Sequence, residues 1–353
     1  MKIIYFTKYS KQGASSRLRS IQFFPLLEEI GFSITHSPLF TDSYLKALYN
    51  KKKSKNLIII LCYIKRFFSL LKVKNYDLVV IEKELFPYLP ATIEILLNKI
   101  GVKYIVDYDD AIFHNYDMSN NPYLKSIANK IDVVMQNSKH VFVGNSYLAK
   151  RAEKAGANNI SILPTVIDVE KYRRIENKDT NKFTLGWIGS PSTFKYIEDL
   201  FPIFDTIKSK YTHFQVNIIG AKQNKEIYKD YINFIPWSEN TEVEEINKFD
   251  VGIMPLHNTP WELGKCSYKL IQYMGCSKAI IGSPVGMNND VIQEGYNGFV
   301  VKNNDWTTSI EYCINHLSEV HLLGINGRKL IEENFNLTNN VSKMESIFNS
   351  IKN

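Results

Sequence analysis

Four short segments of the chain combine glycine with hydroxyl, carboxylate or lysine side chains in patterns that could bind a phosphate or a sugar. The first, 11–19, follows an apolar run and contains Gly13, Ser15, Ser16, Arg17 and Arg19. Glycine permits a tight turn, serine caps a following helix, and helix N-terminal amides beside arginine side chains suit a phosphate. The alternative is a capped helix with solvated arginines. Because the segment lacks the G-x-G-x-x-G pattern, it does not indicate a nicotinamide or flavin cofactor.

Three aspartates, Asp107, Asp109 and Asp110, lie close together at the end of another apolar run, and His114 follows them. Carboxylates at this spacing could coordinate magnesium or manganese. They could instead repel one another, which would raise one pKa and favour acid–base chemistry, or they could accept hydrogen bonds from a polyol. We favour binding of a polyol by Asp109 or Asp110 and expect no resident metal ion.

The third segment, 186–195, reads as a strand that ends in a hydroxyl-rich turn. Its last residues are Gly189, Ser190, Ser192, Thr193 and Lys195. Backbone amides, hydroxyls and one lysine at the start of a helix predict a cradle for a diphosphate.

The fourth segment, 260–275, places Gly264 before an apolar stretch that we predict to be helical. Lys265 and Lys269 lie four residues apart and would share one face of that helix. Two such lysines repel each other unless an anion lies between them, so the pattern favours a phosphate. The alternative is two independent surface lysines.

The elements that position these segments follow from short apolar runs that alternate with helical patterns. This alternation predicts two parallel sheets, each with helices on both faces, and ligands then bind beyond the carboxyl ends of the strands. The predicted strands are 2–7, 32–39, 78–82, 104–107, 140–144 and 160–163 in a first series, and 183–188, 214–220, 233–236, 251–255, 279–283 and 298–301 in a second. Helical patterns include 16–30 and 87–100.

The length of 353 residues suits two domains of ordinary size. A polar stretch at 168–182 reads as the linker, so we predict domains at 1–166 and 167–336, with a final helix in 337–353 assigned to the first. The composition, 44% hydrophobic and 22% charged, excludes wholesale disorder. Four cysteines without a C-x-x-C pair indicate neither a disulfide scaffold nor a zinc site, and they favour a reducing compartment.

Positive charge is concentrated in one segment, 46–74, which has nine basic residues and no acidic residue in a chain of net charge +7. No nucleic-acid-binding module accompanies it. The segment is also rich in leucine, isoleucine and phenylalanine, which suggests contact with an anionic membrane surface. The alternative is a helix with one buried apolar side and a solvated lysine side. Since its apolar stretch is too short to cross a bilayer and the N-terminal run is too short for a signal peptide, we expect a cytoplasmic protein, free or peripheral on the inner face of the membrane.

Several of these motifs, taken in order, resemble the family 4 (group 1) glycosyltransferases of the GT-B fold. The strings that carry the resemblance in the second domain are GWIGSPST at 186–193, DVGIMPL at 250–256, TPWELGK at 259–265, KLIQYMG at 269–275 and SPVG at 283–286. Those in the first domain are the Ser-x-Arg-x-Arg pattern from Ser15, DYDDAIF at 107–113, GNSYLA at 144–149 and PTVID at 164–168.

The resemblance implies two Rossmann-like domains that face a central cleft, with the last helix crossing back to the first domain. It implies transfer of a sugar from a nucleoside-diphosphate donor to an acceptor, with retention of anomeric configuration and without a metal or other cofactor. Lys195 and Lys265 would stabilise the leaving phosphate, and Asp109 or His114 would orient a sugar. The donor site would comprise Gly189, Ser190, Ser192, Thr193, Trp237, Glu262, Gly264, Ser267, Lys269 and Gln272. The acceptor or phosphate loop would comprise Gly13, Ser15, Ser16, Arg17, Asp107 and Asp110.

The sequence departs from the family at two places. Many members carry two glutamates separated by seven residues, whereas this chain has Gly264 and Gln272 at those positions. Glu262 is a candidate substitute for the first of them, and an arginine–lysine phosphate clamp is reduced to Lys195. We expect an enzyme of bacterial cell-surface polysaccharide synthesis, such as lipopolysaccharide or capsule, with a saccharide or lipid-linked saccharide acceptor. The alternatives are a catalytically inactive relative that binds a partner and a nucleotide-sugar epimerase.

Overall fold

The computed structural model describes residues 1–44, 55–175, 181–221 and 229–352. The chain forms two compact units. Unit 1 comprises Met1–Thr165, Gly264–Cys266 and Leu337–Asn353, and unit 2 comprises Val166–Leu263 and Ser267–Asn336. The short stretch Gly264–Cys266 therefore packs with unit 1, although the residues on both sides of it belong to unit 2.

Unit 1 contains a sheet of six parallel strands in the order β2-β1-β3-β4-β5-β6. The order reverses between β1 and β3, and ligands of open α/β sheets bind at such a point. Every residue of β3 and β4 is buried, because helices cover both faces of a parallel sheet. The strands are β1 (Lys2–Tyr9), β2 (Ser33–Phe40), β3 (Leu78–Glu82), β4 (Tyr104–Tyr108), β5 (His140–Val143) and β6 (Ile160–Ile162).

Besides the C-terminal helix, eight helices of unit 1 lie wholly within the described residues. They are α1 (Ala14–Arg19), α2 (Phe24–Glu29), α3 (Lys55–Leu70), α4 (Thr92–Lys99), α5 (His114–Asp117), α6 (Pro122–Ser126), α7 (Lys130–Asn137) and α8 (Ser146–Lys154). The last helix of the chain, Leu337–Lys352, also packs here: the Phe348 ring meets those of Phe32 and Phe142. Lys103 Nζ donates to the Ile351 carbonyl at 2.6 Å. The predicted return of the C-terminal helix to the first domain is thus confirmed.

Unit 2 contains a second sheet of six parallel strands, in the order β12-β11-β10-β7-β8-β9. This is the Rossmann order 3-2-1-4-5-6, and its reversal lies between β7 and β10. Trp187 and Trp306 fill a core shared by the strands and the flanking helices. The strands are β7 (Phe183–Ile188), β8 (Phe214–Ile219), β9 (Ile232–Ile235), β10 (Val251–Met254), β11 (Ala279–Gly282) and β12 (Gly298–Val300).

The helices of unit 2 in the described ranges are numbered α9 to α16, and the C-terminal helix Leu337–Lys352 of unit 1 is α17. Those of unit 2 are α9 (Phe194–Glu198), α10 (Phe201–Lys210), α11 (Glu242–Asn247), α12 (Pro260–Leu263), α13 (Tyr268–Gly275), α14 (Asn288–Val291), α15 (Trp306–Asn315) and α16 (Leu317–Asn334).

All twelve predicted strands are present, and two predicted helices are shorter or interrupted. The pattern at 16–30 forms α1, a 3-10 turn and α2, because Ser20 leaves helical geometry at φ −133° and Pro25 lies in the first turn of a new helix that begins at Phe24. The pattern at 87–100 becomes helical only at Thr92, since Tyr88 has φ +63° and so cannot lie in a right-handed helix.

The basic segment 46–74 is described from residue 55 onward, and Lys46, Lys51, Lys52 and Lys53 lie outside the described residues. Arg66 does not belong to a solvated basic surface. It is buried, and its guanidinium donates to the carbonyls of Thr7 at 2.7 Å and Ser37 at 3.1 Å. Among the described helices, none has the length and apolar character needed to cross a bilayer.

Candidate functional site

The functional candidates of unit 1 meet at the carboxyl end of its sheet. Glu82 pairs with Asp107 in the register between β3 and β4, so the residues that follow both strands emerge side by side. Ser15 of α1 donates to Asp109 Oδ2 at 2.8 Å and to Glu82 Oε1 at 3.2 Å. The Asp109 side chain is 14% exposed, which leaves it reachable at the surface of this polar cluster.

Lys83 is the cation of the cluster and was missed in the sequence. It directly follows β3, and its Nζ lies 2.8 Å from Asp109 Oδ1 and 3.7 Å from Asp110 Oδ2. Burial would raise the pKa of Asp109, but the charges of Lys83 and Arg19 outweigh burial and hold that pKa at about 2. Asp109 is therefore a carboxylate at neutral pH and is not the aspartate of the three whose pKa is raised. In the sequence, Lys83 could have been found as a charged residue that directly follows an apolar strand.

Asp107 is committed to a buried ion pair. Arg19 holds it through two nitrogens, with Nε 3.0 Å from Oδ2, and also donates to the Leu163 carbonyl at 2.7 Å. Both side chains are almost fully buried. Burial raises the pKa of Asp107, and Arg19 opposes that rise. Arg19, which we expected beside a bound phosphate, instead joins α1 to β4.

The stretch Gly264–Cys266 lines the same cluster. Lys265 Nζ lies 3.6 Å from Asp110 Oδ1, and the Lys265 carbonyl accepts from Asn145 Nδ2 at 3.0 Å. Burial raises the pKa of the Cys266 thiol, which donates to the Asp109 carbonyl at 3.1 Å. Glycine is required at 264 because a Cβ there would lie 2.5 Å from that of Ala111. Asn145 and Cys266 are further residues that the sequence did not single out.

The predicted helix that placed Lys265 and Lys269 on one face is wrong. The helix α13 begins only at Tyr268, and Ser267 before it has φ +48°, a left-handed conformation that ends any right-handed helix. Lys265 is therefore not helical, and the two lysines belong to different units. Ser267 is buried and donates to Asn288 Oδ1 at 2.8 Å, which fixes the turn that begins α13.

The loop before α1 is held by contacts of its own side chains. Gly13 is the N-cap, and a Cβ there would lie 2.2 Å from that of Tyr9. The predicted cap by Ser15 or Ser16 is wrong, because Ser15 binds the carboxylates and Ser16 accepts from the Tyr9 amide at 2.9 Å. Arg17 donates to the Lys11 carbonyl at 3.3 Å.

His114 lies in a separate polar network of unit 1. Its Nδ1 is 2.8 Å from Asp117 Oδ1 and its Nε2 is 2.9 Å from the Tyr147 hydroxyl. Arg151 joins Asp117 to Asp132. Both ring nitrogens of His114 are thus engaged, which favours a structural role over orientation of a sugar.

In the described parts of the chain, no group of three histidine, cysteine, aspartate or glutamate side chains has the geometry to hold a metal ion. The three aspartates at the carboxyl end of β4 instead face cations of the protein itself: Arg19, Lys83 and Lys265.

The principal candidate of unit 2 is the turn after β7. Gly189 follows the strand, and a Cβ there would lie 2.2 Å from Trp187 Cη2. The Gly189 carbonyl lies against Gly220, where a Cβ would approach it to 2.1 Å. Ser190 and Thr193 form a capping box, and the Ser192 hydroxyl lies 2.8 Å from that of Ser190. The turn is therefore shaped by two glycines and carries exposed hydroxyls.

Two lysines of unit 2 lie over aromatic rings. Lys195, the second residue of α9, is exposed, and its Nζ lies 4.9 Å from the centre of the Tyr196 ring. Lys269 Nζ lies 5.7 Å from the centre of the Trp187 ring. Glu262 is buried, and Tyr196 and Thr259 both donate to its carboxylate. Its oxygens are thus used within the unit, which weakens it as a substitute for a sugar-binding glutamate.

A series of hydrogen bonds joins Gln272 to Trp237. Gln272 Nε2 donates to the Tyr172 hydroxyl at 3.1 Å, and that hydroxyl donates to Glu242 Oε1 at 2.6 Å. Trp237 Nε1 donates to the other oxygen of Glu242 at 2.8 Å. Tyr172 and Glu242 were missed in the sequence because no local motif contains them.

Comparison with known proteins agrees with this architecture. Residues 182–319 match the family model described as Glycosyl transferases group 1. An uncharacterized glycosyltransferase of Methanocaldococcus jannaschii, MJ1069, is 24% identical over 71% of this chain and 66% of its own length. The capsular polysaccharide biosynthesis glycosyltransferase CapM of Staphylococcus aureus is 26% identical over 51% of this chain and 49% of its own. The chain thus spans about two thirds of the length of one relative and half of the other.

Solved structures show the same fold at low identity. Sucrose-phosphate synthase of Thermosynechococcus elongatus superposes with a TM-score of 0.74 at 13% identity, covering 99% of both chains. The HepE protein of Anabaena, in complex with UDP, has a TM-score of 0.70 at 12% identity and covers 99% of this chain and 100% of its own. Residues 182–319 of unit 2 thus match the group 1 glycosyltransferases, and the chain as a whole is similar to glycosyltransferases in sequence and shares the GT-B fold of its structural neighbours.

Proposed function

We propose that the protein transfers a sugar from a nucleoside-diphosphate sugar to a saccharide or lipid-linked saccharide, with retention of configuration and without a metal ion. The observation that carries the proposal is the turn after β7, where the family model matches and the strand order of unit 2 reverses. We assign donor binding to unit 2 and acceptor binding to unit 1. The natural setting is cell-surface polysaccharide synthesis, as the name of the CapM relative suggests.

The donor half of the proposal rests on the chemistry of that turn. Gly189 and Gly220 let Trp187 and the Gly189 carbonyl pack closely and so fix the shape of the turn, and the hydroxyls of Ser190 and Ser192 are exposed. Lys195 and Lys269 supply positive charge in the same unit. A diphosphate needs close donors and cations of this kind. HepE has been crystallised with UDP and with UDP-glucose, which favours a uridine nucleotide for a chain of the same fold.

The proposal that no metal ion is needed rests on the positive charge of lysine side chains. As the glycosidic bond breaks, the departing nucleoside diphosphate gains negative charge, and fixed lysines can stabilise it. We assign this role to Lys195 and Lys265. Retention follows if the acceptor hydroxyl attacks from the face that the phosphate leaves, with a leaving phosphate oxygen taking the acceptor proton. Since cations already face Asp107, Asp109 and Asp110, those carboxylates are poorly suited to hold a metal ion.

The acceptor half rests on Asp109. Its low pKa keeps it a carboxylate, which accepts hydrogen bonds from a sugar hydroxyl and does not donate a proton. Its partners Lys83 and Ser15 fix its orientation. We therefore assign Asp109 to orientation of a sugar and the buried Asp107 to support of the cluster.

Thermal unfolding with UDP, GDP, ADP and CMP, each with and without EDTA, tests the donor half. A nucleotide that binds the folded state at 100 times its Kd stabilises it by about 2.7 kcal/mol. We expect a rise in Tm with one diphosphate that EDTA does not alter. Abolition of the rise by EDTA would contradict metal independence, and no rise with any nucleotide would favour an inactive relative.

Product analysis with the matching nucleotide sugar tests transfer itself. We expect a glycosylated product only when an acceptor is present, with the anomeric configuration of the donor. Conversion of the donor sugar without an acceptor would support the epimerase alternative instead.

A further inference from the structure

Helix α3 (Lys55–Leu70) has two apolar faces, and the described part of unit 1 covers only one of them. On the covered side, Cys62 packs with Leu39 and Phe40 of β2, and Ile58, Ile59 and Tyr63 border this cluster. Arg66 on the same side is fixed by carbonyls of the sheet. These contacts hold the helix against the sheet and set which face points away.

The opposite face carries seven large apolar side chains that remain exposed. Their spacing of three and four residues places them on one stripe of the helix and its final turn. We call them the exposed stripe: Leu57, Ile60, Leu61, Ile64, Phe67, Phe68 and Leu71, which are 48% to 67% exposed. Contiguous apolar surface of this kind on a folded protein marks an interaction site.

The charge around the exposed stripe indicates its partner. Lys65, Lys72 and Lys74 are exposed beside it, and the sequence has no acidic residue between Asp42 and Asp77. A symmetric contact with a second copy would bring these lysines together without a compensating charge. Anionic lipid headgroups complement them instead, while acyl chains accept the apolar side chains.

We propose that unit 1 docks on an anionic lipid bilayer through the exposed stripe, with α3 parallel to the membrane plane and Lys65, Lys72 and Lys74 at the headgroups. The contact thus involves the exposed stripe and not only Lys65, Lys72 and Lys74. The helix cannot span, because its other face is packed on the protein. Only the role of this docking rests on the proposed function: it would bring the acceptor-binding unit to a lipid-linked acceptor.

Flotation of the full chain with vesicles of phosphatidylcholine alone, or with phosphatidylglycerol added, tests the proposal. The variant is Ile64→Gln with Phe68→Gln, side chains 48% and 61% exposed. The matched control is Leu317→Gln with Leu322→Gln, side chains 50% and 57% exposed on α16 of unit 2. Glutamine keeps helix propensity, and neither pair contributes to a packed core, so Tm should stay unchanged. A third variant, Lys65→Gln with Lys72→Gln and Lys74→Gln, reports the charge contribution.

We expect the wild type and the control to float with phosphatidylglycerol vesicles. The Ile64→Gln, Phe68→Gln variant should bind them at least about tenfold more weakly. The lysine variant should lose the preference for phosphatidylglycerol. Equal flotation of the stripe variant and the wild type would overturn the proposal. Failure of the wild type to bind any vesicle would also overturn it. That holds if the protein is a monomer in sedimentation, and equally if it is a dimer that the stripe variant dissociates. The rise in Tm with nucleotide is measured without lipid. If the wild type shows no such rise, that result counts against the proposed function and not against membrane docking.

Discussion

Lys83 Nζ lies 2.8 Å from Asp109 Oδ1, and the backbone that presents this lysine has φ +66°. A left-handed conformation costs free energy in a residue with a Cβ, and such strain persists only where surrounding contacts enforce it. Here the ion pair and the amide of Lys83, which donates to the Asp107 carbonyl at 2.9 Å, provide those contacts. The strained Lys83 and the Asp109 carboxylate thus form one structural feature.

Removing the charge of Lys83 should destabilise the protein. In Lys83→Met the nearly buried Asp109 loses its nearest cation, and breaking a buried pair in this way costs about 3–5 kcal/mol. Urea unfolding of the wild type and the variant measures the difference. The double variant Lys83→Met with Asp109→Asn should recover part of the loss, since the unpaired charge is then gone. A Lys83→Met protein within about 1 kcal/mol of the wild type would contradict the assigned pair.

The stabilisation supplied by Asp109 should depend on pH. Its pKa is lowered from 3.8 to about 2 in the folded state, so the stabilisation is fully present above pH about 4 and is lost as the pH falls toward 2. The shift corresponds to roughly 2 to 3 kcal/mol at neutral pH, of which about half should remain at pH 3. The difference in unfolding free energy between wild type and Asp109→Asn, measured at pH 7, 4 and 3, should shrink accordingly. A difference that stays constant with pH would show that the carboxylate is not stabilised by charge.

Lys195→Ala and Lys265→Ala should each lower kcat by roughly 10²–10³-fold, because each is assigned to the charge that develops on the leaving diphosphate. Their effect on Tm should be small, since Lys195 is exposed and the Lys265–Asp110 pair at 3.6 Å is only partly buried. Steady-state kinetics with the cognate donor measures the change. Lys302→Ala is the control, because that side chain is 77% exposed and has no assigned role. Full turnover in both variants would refute the charge-stabilisation account.

Gly189→Ala should abolish stabilisation by nucleotide. The new Cβ would lie 2.2 Å from Trp187 Cη2 and 2.8 Å from Thr193 Oγ1, so the turn after β7 must change shape. Overpacking of this kind costs about 1–3 kcal/mol. Gly298→Ala is a matched control, since its Cβ would lie 2.0 Å from the Ile280 carbonyl at the far edge of the same sheet. Both variants should have a lower Tm, but only Gly298→Ala should keep the rise in Tm on addition of nucleotide. Equal nucleotide responses would exclude the turn from the donor site.

The sequence by itself determined the strands, their two series and the turns that follow them. Strands buried on both faces are short apolar runs, and a parallel sheet requires a helical pattern between them, so β3 and β7 were predicted with their observed bounds. Gly189 was also singled out from local sequence, because it stands directly after such a run.

Tertiary structure alone decided which charges pair and which apolar faces are covered. Asp109 meets Lys83 and Asp107 meets Arg19 because neighbouring strands bring distant residues together, and sequence spacing carries no information on that proximity. The turn of Ser267 removed Lys265 from the predicted helix through a left-handed residue that no local pattern announces. In α3 both faces are apolar, so the sequence pattern could not say which face packs on β2 and which stays exposed. That choice depends on where the sheet lies, which is a property of the folded chain.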